Sequence, residues 1–158
     1  MANTSYLRMV VHPYLLDWVS KRIGVPLGPA KVIVGYDGDG CPVRFGFDGV
    51  SDDETIGVCI SASSSYKTGQ MRVYFMEATL LNRCRQFRRR IMAFTGTASW
   101  EGFRNQCDGL VDLKNIEPLI CDDLPEEMRL KIQEVYTESA KEVGDRSGPG
   151  VRIPGRRR

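Results

Sequence analysis

A single α/β domain built on a mixed sheet is the fold class this sequence predicts, on three observations. Short β-branched runs alternate with segments of helical period. The first three runs are separated only by turn signals, as in a meander, and the later ones by stretches long enough for crossover helices. The chain has 158 residues, 42% hydrophobic and 27% charged, which suits one core able to fold without disulfides or a structural metal. The domain is expected to span residues 1–143, followed by a flexible basic Gly/Pro/Arg tail over 144–158.

Residues 12–23 set Tyr14, Leu15, Trp18, Val19 and Ile23 on one side at helical spacing, with Asp17, Lys21 and Arg22 elsewhere, and Gly24 ends that helix. Pro26, Gly28 and Pro29 mark a loop before a first strand at 31–36. Asp37, Gly38, Asp39 and Gly40 form the densest turn signal and join it in a hairpin to a second strand at 42–50. There Val43, Phe45 and Phe47 alternate with Arg44, Gly46 and Asp48, so the polar positions share a face and Asp48 stands at its far end. Ser51, Asp52, Asp53 and Glu54 make the next turn, before a third strand at 55–60. A serine-rich connection, 61–65, leads to Lys67, and Thr68 is placed to cap a helix with apolar positions Met71, Tyr74, Phe75, Ala78 and Leu81. A buried strand follows at 91–95, a helix capped by Ser99 over 100–110, a short strand at 116–121, and a helix opened by Pro125 and running to about Ala140.

Several chemistries are excluded. His12 is the only histidine, so neither H-E-x-x-H zinc chemistry nor a His-Cys knuckle is available. Five cysteines, odd in number and without a C-x-x-C pair, read as reduced, buried thiols. There is no Walker lysine and no Gly-x-Gly-x-x-Gly. Asp37 to Gly40 begin like a calcium loop, but Cys41 and Pro42 stand where further oxygen ligands and the turn glycine belong. No apolar run approaches the roughly 20 residues of a membrane span, and residues 1–11 lack a leader's charged and apolar regions, so a cytoplasmic protein without a membrane role is expected.

The net charge of +2 hides blocks: residues 1–66, 67–104, 105–145 and 146–158 carry −2, +6, −7 and +5. Arg83, Arg85, Arg88, Arg89 and Arg90 concentrate five planar guanidinium forks suited to phosphate, a candidate nucleic-acid-binding surface. The competing expectation is that they pair with the acidic stretch 108–142. Arg152, Arg156, Arg157 and Arg158 add a basic arm. Tyr66, Tyr74 and Trp100 are candidates for base stacking, although the helical spacing of Tyr74 is that of a core residue.

Phe47, Asp48, Gly49, Val50 and Ser51, followed by an acidic turn, a strand, a serine run and Lys67, resemble the PD-(D/E)xK restriction-endonuclease-like superfamily. The likeness covers most of residues 12–135: a helix, a three-strand meander, a helix, a strand and further α/β elements. It implies a restriction-endonuclease-like mixed sheet, a Mg2+ cofactor, a nucleic-acid substrate, with DNA the expected one, and a homodimer, as in many relatives that cut two strands. Asp48 matches the family's aspartate at the end of the second strand, which makes it the candidate catalytic and metal-holding carboxylate. Cys59 and Ser61 stand where the family carries the acid and lysine of its acid-x-Lys triplet.

That substitution leaves two readings. The domain keeps the fold and has lost cleavage, acting on or beside nucleic acid; or it is an active magnesium-dependent endonuclease whose groups have migrated, with Lys67, Glu54 or Glu77 reaching the site. A third class is a protein-interaction subunit without a nucleic-acid role, in which the acidic stretch and the arginine block bind each other or a partner.

Overall fold

The β-branched runs and their turns build a five-stranded sheet at the centre of the computed structural model, which describes residues 4–63 and 66–146. The elements run α1 (His12–Ile23), β1 (Gly28–Tyr36), β2 (Pro42–Val50), β3 (Ile56–Ser61), α2 (Thr68–Arg83), β4 (Arg89–Phe94), α3 (Thr97–Cys107), β5 (Ile116–Ile120) and α4 (Glu126–Arg146). The strand order is β1-β2-β3-β4-β5. The meander β1-β2-β3 is antiparallel, while β3-β4 and β4-β5 are parallel and joined by α2 and α3. The sheet is thus mixed and open, as the spacing of the runs predicts.

Because β3, β4 and β5 advance in one direction, right-handed crossovers put α2 and α3 on the same face. That face buries Val32, Phe47, Cys59, Met92 and Phe94 against Tyr74, Ala78, Leu81 and Phe103. On the other face Val58, Ile60, Ile91 and Ala93 pack under Val11, Leu15 and Val19 of the first helical segment and Ile132 and Val135 of α4. Covered on both sides, the strands β3 and β4 read as near-continuous apolar runs.

Several local expectations shift. Helical structure begins earlier than position 12, as a π-helical turn over Leu7–Val11 that runs into α1. Pro13 has no N–H to continue the ladder, and a widened turn with the His12 N–H on the Leu7 carbonyl accommodates that gap. Thr68 is the first residue of α2 and Lys67 its cap; Gly96, not Ser99, precedes α3, and the Ser99 hydroxyl instead donates to the Ser63 carbonyl. The last helix runs past position 140 to Arg146, through the start of the expected tail; residues 147–158, with the four tail arginines, lie outside the described residues. No helix among the described residues is long and apolar enough to cross a membrane.

Candidate functional site

The sheet splits where its polar residues gather. β2 and β3 pair only through Gly49–Val58 and Val50–Gly57, and the β1-β2 register slips between Gly28/Val50 and Ala30/Phe47, a bulge that includes Asp48. Beyond the last β2-β3 pair the Ile60 N–H finds no strand partner and donates instead to Asp48 Oδ2 at 2.7 Å. The carboxylate therefore fills a backbone position in the split, half-buried and held by a hydrogen bond to its charged form.

Three elements converge on it. Glu77 from α2 and Cys59 from β3 bring their ligand atoms and that of Asp48 within 4.8 Å of one another. The phase of α2 explains Glu77: it lies three residues after Tyr74 and one before Ala78, both buried against the sheet, so its side chain leans over β3. Burial, and secondarily the Asp48 charge, push the Glu77 carboxyl up to about 8. Burial pushes the Cys59 thiol up as well. One turn earlier on α2, the buried Tyr74 hydroxyl is hydrogen-bonded to Ser61 Oγ, and burial raises it to about 12 despite that bond, so the pair is neutral.

The opposite wall comes from the N-terminal segment. Gly49 leaves room for Leu16, whose Cδ1 lies 2.5 Å from where a Cβ would stand, so α1 sits close against β2. His12, one turn before Leu16 on the same face, then brings Nδ1 to 4.0 Å from Asp48 Oδ1. A cleft of about 720 Å³ opens there, lined by Arg8, His12, Lys31 and Asp48 among apolar neighbours. Lys31 faces Gly46 across the β1-β2 pair.

The remaining predicted residues lie elsewhere. Lys67 caps α2 with its backbone N–H on Gln70 Oε1, and its ammonium stands 6.0 Å from the Tyr136 ring centroid. Glu54 occupies the β2-β3 turn at φ 56° and is not part of the Asp48 cluster. The arginine block divides. Arg89 makes a forked pair with Glu117 of β5, and Arg90 donates to the carbonyls of Leu81 and Cys84 at the end of α2. Arg85 and Arg88 are exposed, and Arg83 lays its guanidinium over Gly35 of β1. Arg89 is level with Ile56 and Ala93 with Ile60, so the block's β4 end lies about 13 Å along the strands from Asp48.

Arg8 and Lys31 carry no signal in the sequence: one precedes the first periodic helix and the other opens an edge strand. No family model, curated protein or solved structure matches the chain.

Proposed function

We propose that this chain is a divalent-cation-dependent phosphodiester hydrolase acting on nucleic acid, with a restriction-endonuclease-like core in which Glu77 replaces the strand acid. The observation that carries the reading is the approach of Glu77 to Asp48 from a neighbouring helix. The order of helix, antiparallel meander, crossover helix and parallel strand supports it, since that is the order the resemblance implies.

The paired carboxylates are donors for a divalent cation. Magnesium is commonly held by one or two carboxylates with water and substrate phosphate completing its shell, and Asp48 and Glu77 supply such a pair, with Asp48 in the wall of the cleft. Bound there, a divalent cation would offset the two carboxylates' mutual repulsion, polarise a phosphodiester and lower the pKa of a water. The chain's own groups do the rest. The Ile60 N–H orients Asp48. Arg8 and Lys31 line the cleft as cations for the phosphate backbone. His12, beside Asp48, is the cleft's imidazole for a proton transfer.

A second reading, a non-cleaving nucleic-acid-binding domain, is favoured by Ser61, whose hydroxyl is engaged by Tyr74 where the family carries a lysine. One experiment separates them: a salt series with duplex DNA, single-stranded DNA and RNA, with and without Mg2+ or Mn2+, each sample checked for cleavage. Cutting that disappears in Asp48→Asn and Glu77→Gln supports the hydrolase. Binding that weakens linearly in log salt with no cutting in any cation supports the second reading, and no binding at any salt overturns both.

A further inference from the structure

The cluster beside the cleft is not purely acidic, and its third member changes which cation it suits. Cys59 is 2% exposed and its thiol makes no hydrogen bond among the described residues. The other deeply buried thiols on strand or loop differ: Cys84 Sγ lies 4.0 Å from the Ile33 carbonyl and Cys121 Sγ 3.5 Å from Asp123 Oδ1. The Cys59 sulfur lies within 4.8 Å of a carboxylate oxygen of Asp48 and of one of Glu77. The Glu77 carboxyl likewise has no hydrogen-bond partner among the described residues, and its nearest charged neighbour in the cluster has the same sign.

We propose that Asp48, Cys59 and Glu77 form a three-ligand site for a thiophilic divalent cation, of the Mn2+, Co2+, Zn2+ or Cd2+ class, which Mg2+ fills poorly. The inference rests on the reading of Asp48 and Glu77 as a cation-holding pair and names the cation. A thiolate is a soft ligand and selects transition metals over magnesium, whereas a set of oxygen donors does not. Three protein ligands with a further position open to water is the pattern of catalytic rather than structural transition-metal sites. Ligand atoms around a tetrahedral cation at bond lengths near 2.0–2.3 Å lie roughly 3.3–3.8 Å apart; the 4.8 Å limit within which these three lie leaves a small closure, available to the partly exposed Glu77 side chain. Cys59 enters as thiolate, releasing its proton to solvent on binding, with no change of oxidation state. The three ligands come from β2, β3 and α2, so their convergence depends on the fold and not on local sequence.

The test uses the full chain stripped of metal, in a Cys41→Ser background because Cys41 is the exposed thiol. Titration with Co2+ or Cd2+ is followed by thiolate-to-metal absorption, alongside cleavage assays in the same cations and in Mg2+. The expected result is one absorbing site per chain, lost in Cys59→Ser, weakened about 10- to 100-fold in Asp48→Asn and Glu77→Gln, and not displaced by a roughly hundredfold excess of Mg2+. Absorption without cleavage in any cation supports the site while the hydrolase reading falls. Cleavage in Mg2+ with no thiolate absorption leaves the hydrolase and overturns the site. Absorption retained in a folded Cys59→Ser overturns it too. Should circular dichroism show Cys59→Ser unfolded, the two carboxylate variants decide: absorption unchanged in both overturns the site.

Discussion

Asp48 accepts the Ile60 backbone N–H at 2.7 Å and so performs a strand's hydrogen bonding with a side chain, at the point where β2 and β3 part. The same carboxylate faces Cys59 and Glu77 on one side and His12 on the other. Its structural role and its proposed chemical role therefore use different properties: the hydrogen bond needs an acceptor oxygen, and the proposed cation holding needs the negative charge.

Asn and Ala at position 48 separate those properties. Asp48→Asn keeps an acceptor for Ile60, so its denaturant midpoint is expected close to the parent, while the proposed cation-dependent activity is expected to be lost. Asp48→Ala orphans a part-buried N–H and is expected to cost about 1–2 kcal/mol as well. Urea unfolding of the two variants side by side is the check; equal destabilisation would show that the Ile60 bond contributes nothing.

Glu77 makes stability depend on pH in the metal-free protein. Its carboxyl is raised from an ordinary 4.5 to about 8, first by burial and then by Asp48. The folded chain therefore holds this proton more tightly than the unfolded chain. The associated stability is fully present below pH 4.5 and is lost as pH rises through about 8. Glu77→Gln imitates the neutral acid, so it is expected to match the parent at pH 4 and to exceed it by roughly 2–4 kcal/mol at pH 9, after discounting the partial exposure of the side chain. Chemical denaturation in chelator at both pH values tests this; a constant difference would mean that Glu77 ionises normally in the fold.

The order of helices and strands is legible in the sequence because each element carries its own periodicity and its own punctuation. Gly24 closes α1 in a left-handed conformation, and Asp37 closes the first hairpin by accepting the N–H groups of Asp39 and Cys41 through its side chain. The site is only partly legible. Asp48 stands out as a strand-end acid, but its bulge arises from pairing with β1, which no local pattern encodes. Glu77 is one of several acids free to reach it until the phase of α2 against β3 is known. The arginine block misleads as a unit, because adjacent strand positions 89 and 90 point to opposite faces and find different internal partners.

That division predicts how the arginines respond to mutation. Arg90→Ala removes a charged donor from the last carbonyls of α2 and is expected to cost about 1–2 kcal/mol. Arg89→Ala breaks a half-exposed pair with Glu117 and is expected to cost less than about 1 kcal/mol. Arg85→Glu with Arg88→Glu is expected to leave unfolding within about 0.5 kcal/mol of the parent, and any fall in nucleic-acid affinity then reports contact at that end of the sheet. Combining melts with a salt-series binding slope distinguishes the roles.

The packing of the site's floor gives the last prediction. A Cβ on Gly57 would stand 2.2 Å from Phe87 Cε2, and Phe87 is 1% exposed and packed edge-on to Phe47 at 5.2 Å between centroids. The ring has no free space into which to swing, so the bare backbone at position 57 is what lets the α2-β4 connection close over β3. Gly57→Ala is expected to destabilise by about 1–3 kcal/mol, as overpacking of a full core does. Phe87→Leu alone leaves a cavity and should also destabilise, yet the two together should cost less than their sum, because the leucine vacates the volume that the new methyl occupies. A double-mutant cycle by urea unfolding measures that coupling. Because Cys59 lies two residues along β3 on the same face, the Gly57→Ala strain is transmitted toward the cluster, so weaker thiolate-to-metal absorption should accompany it and recover in the double variant.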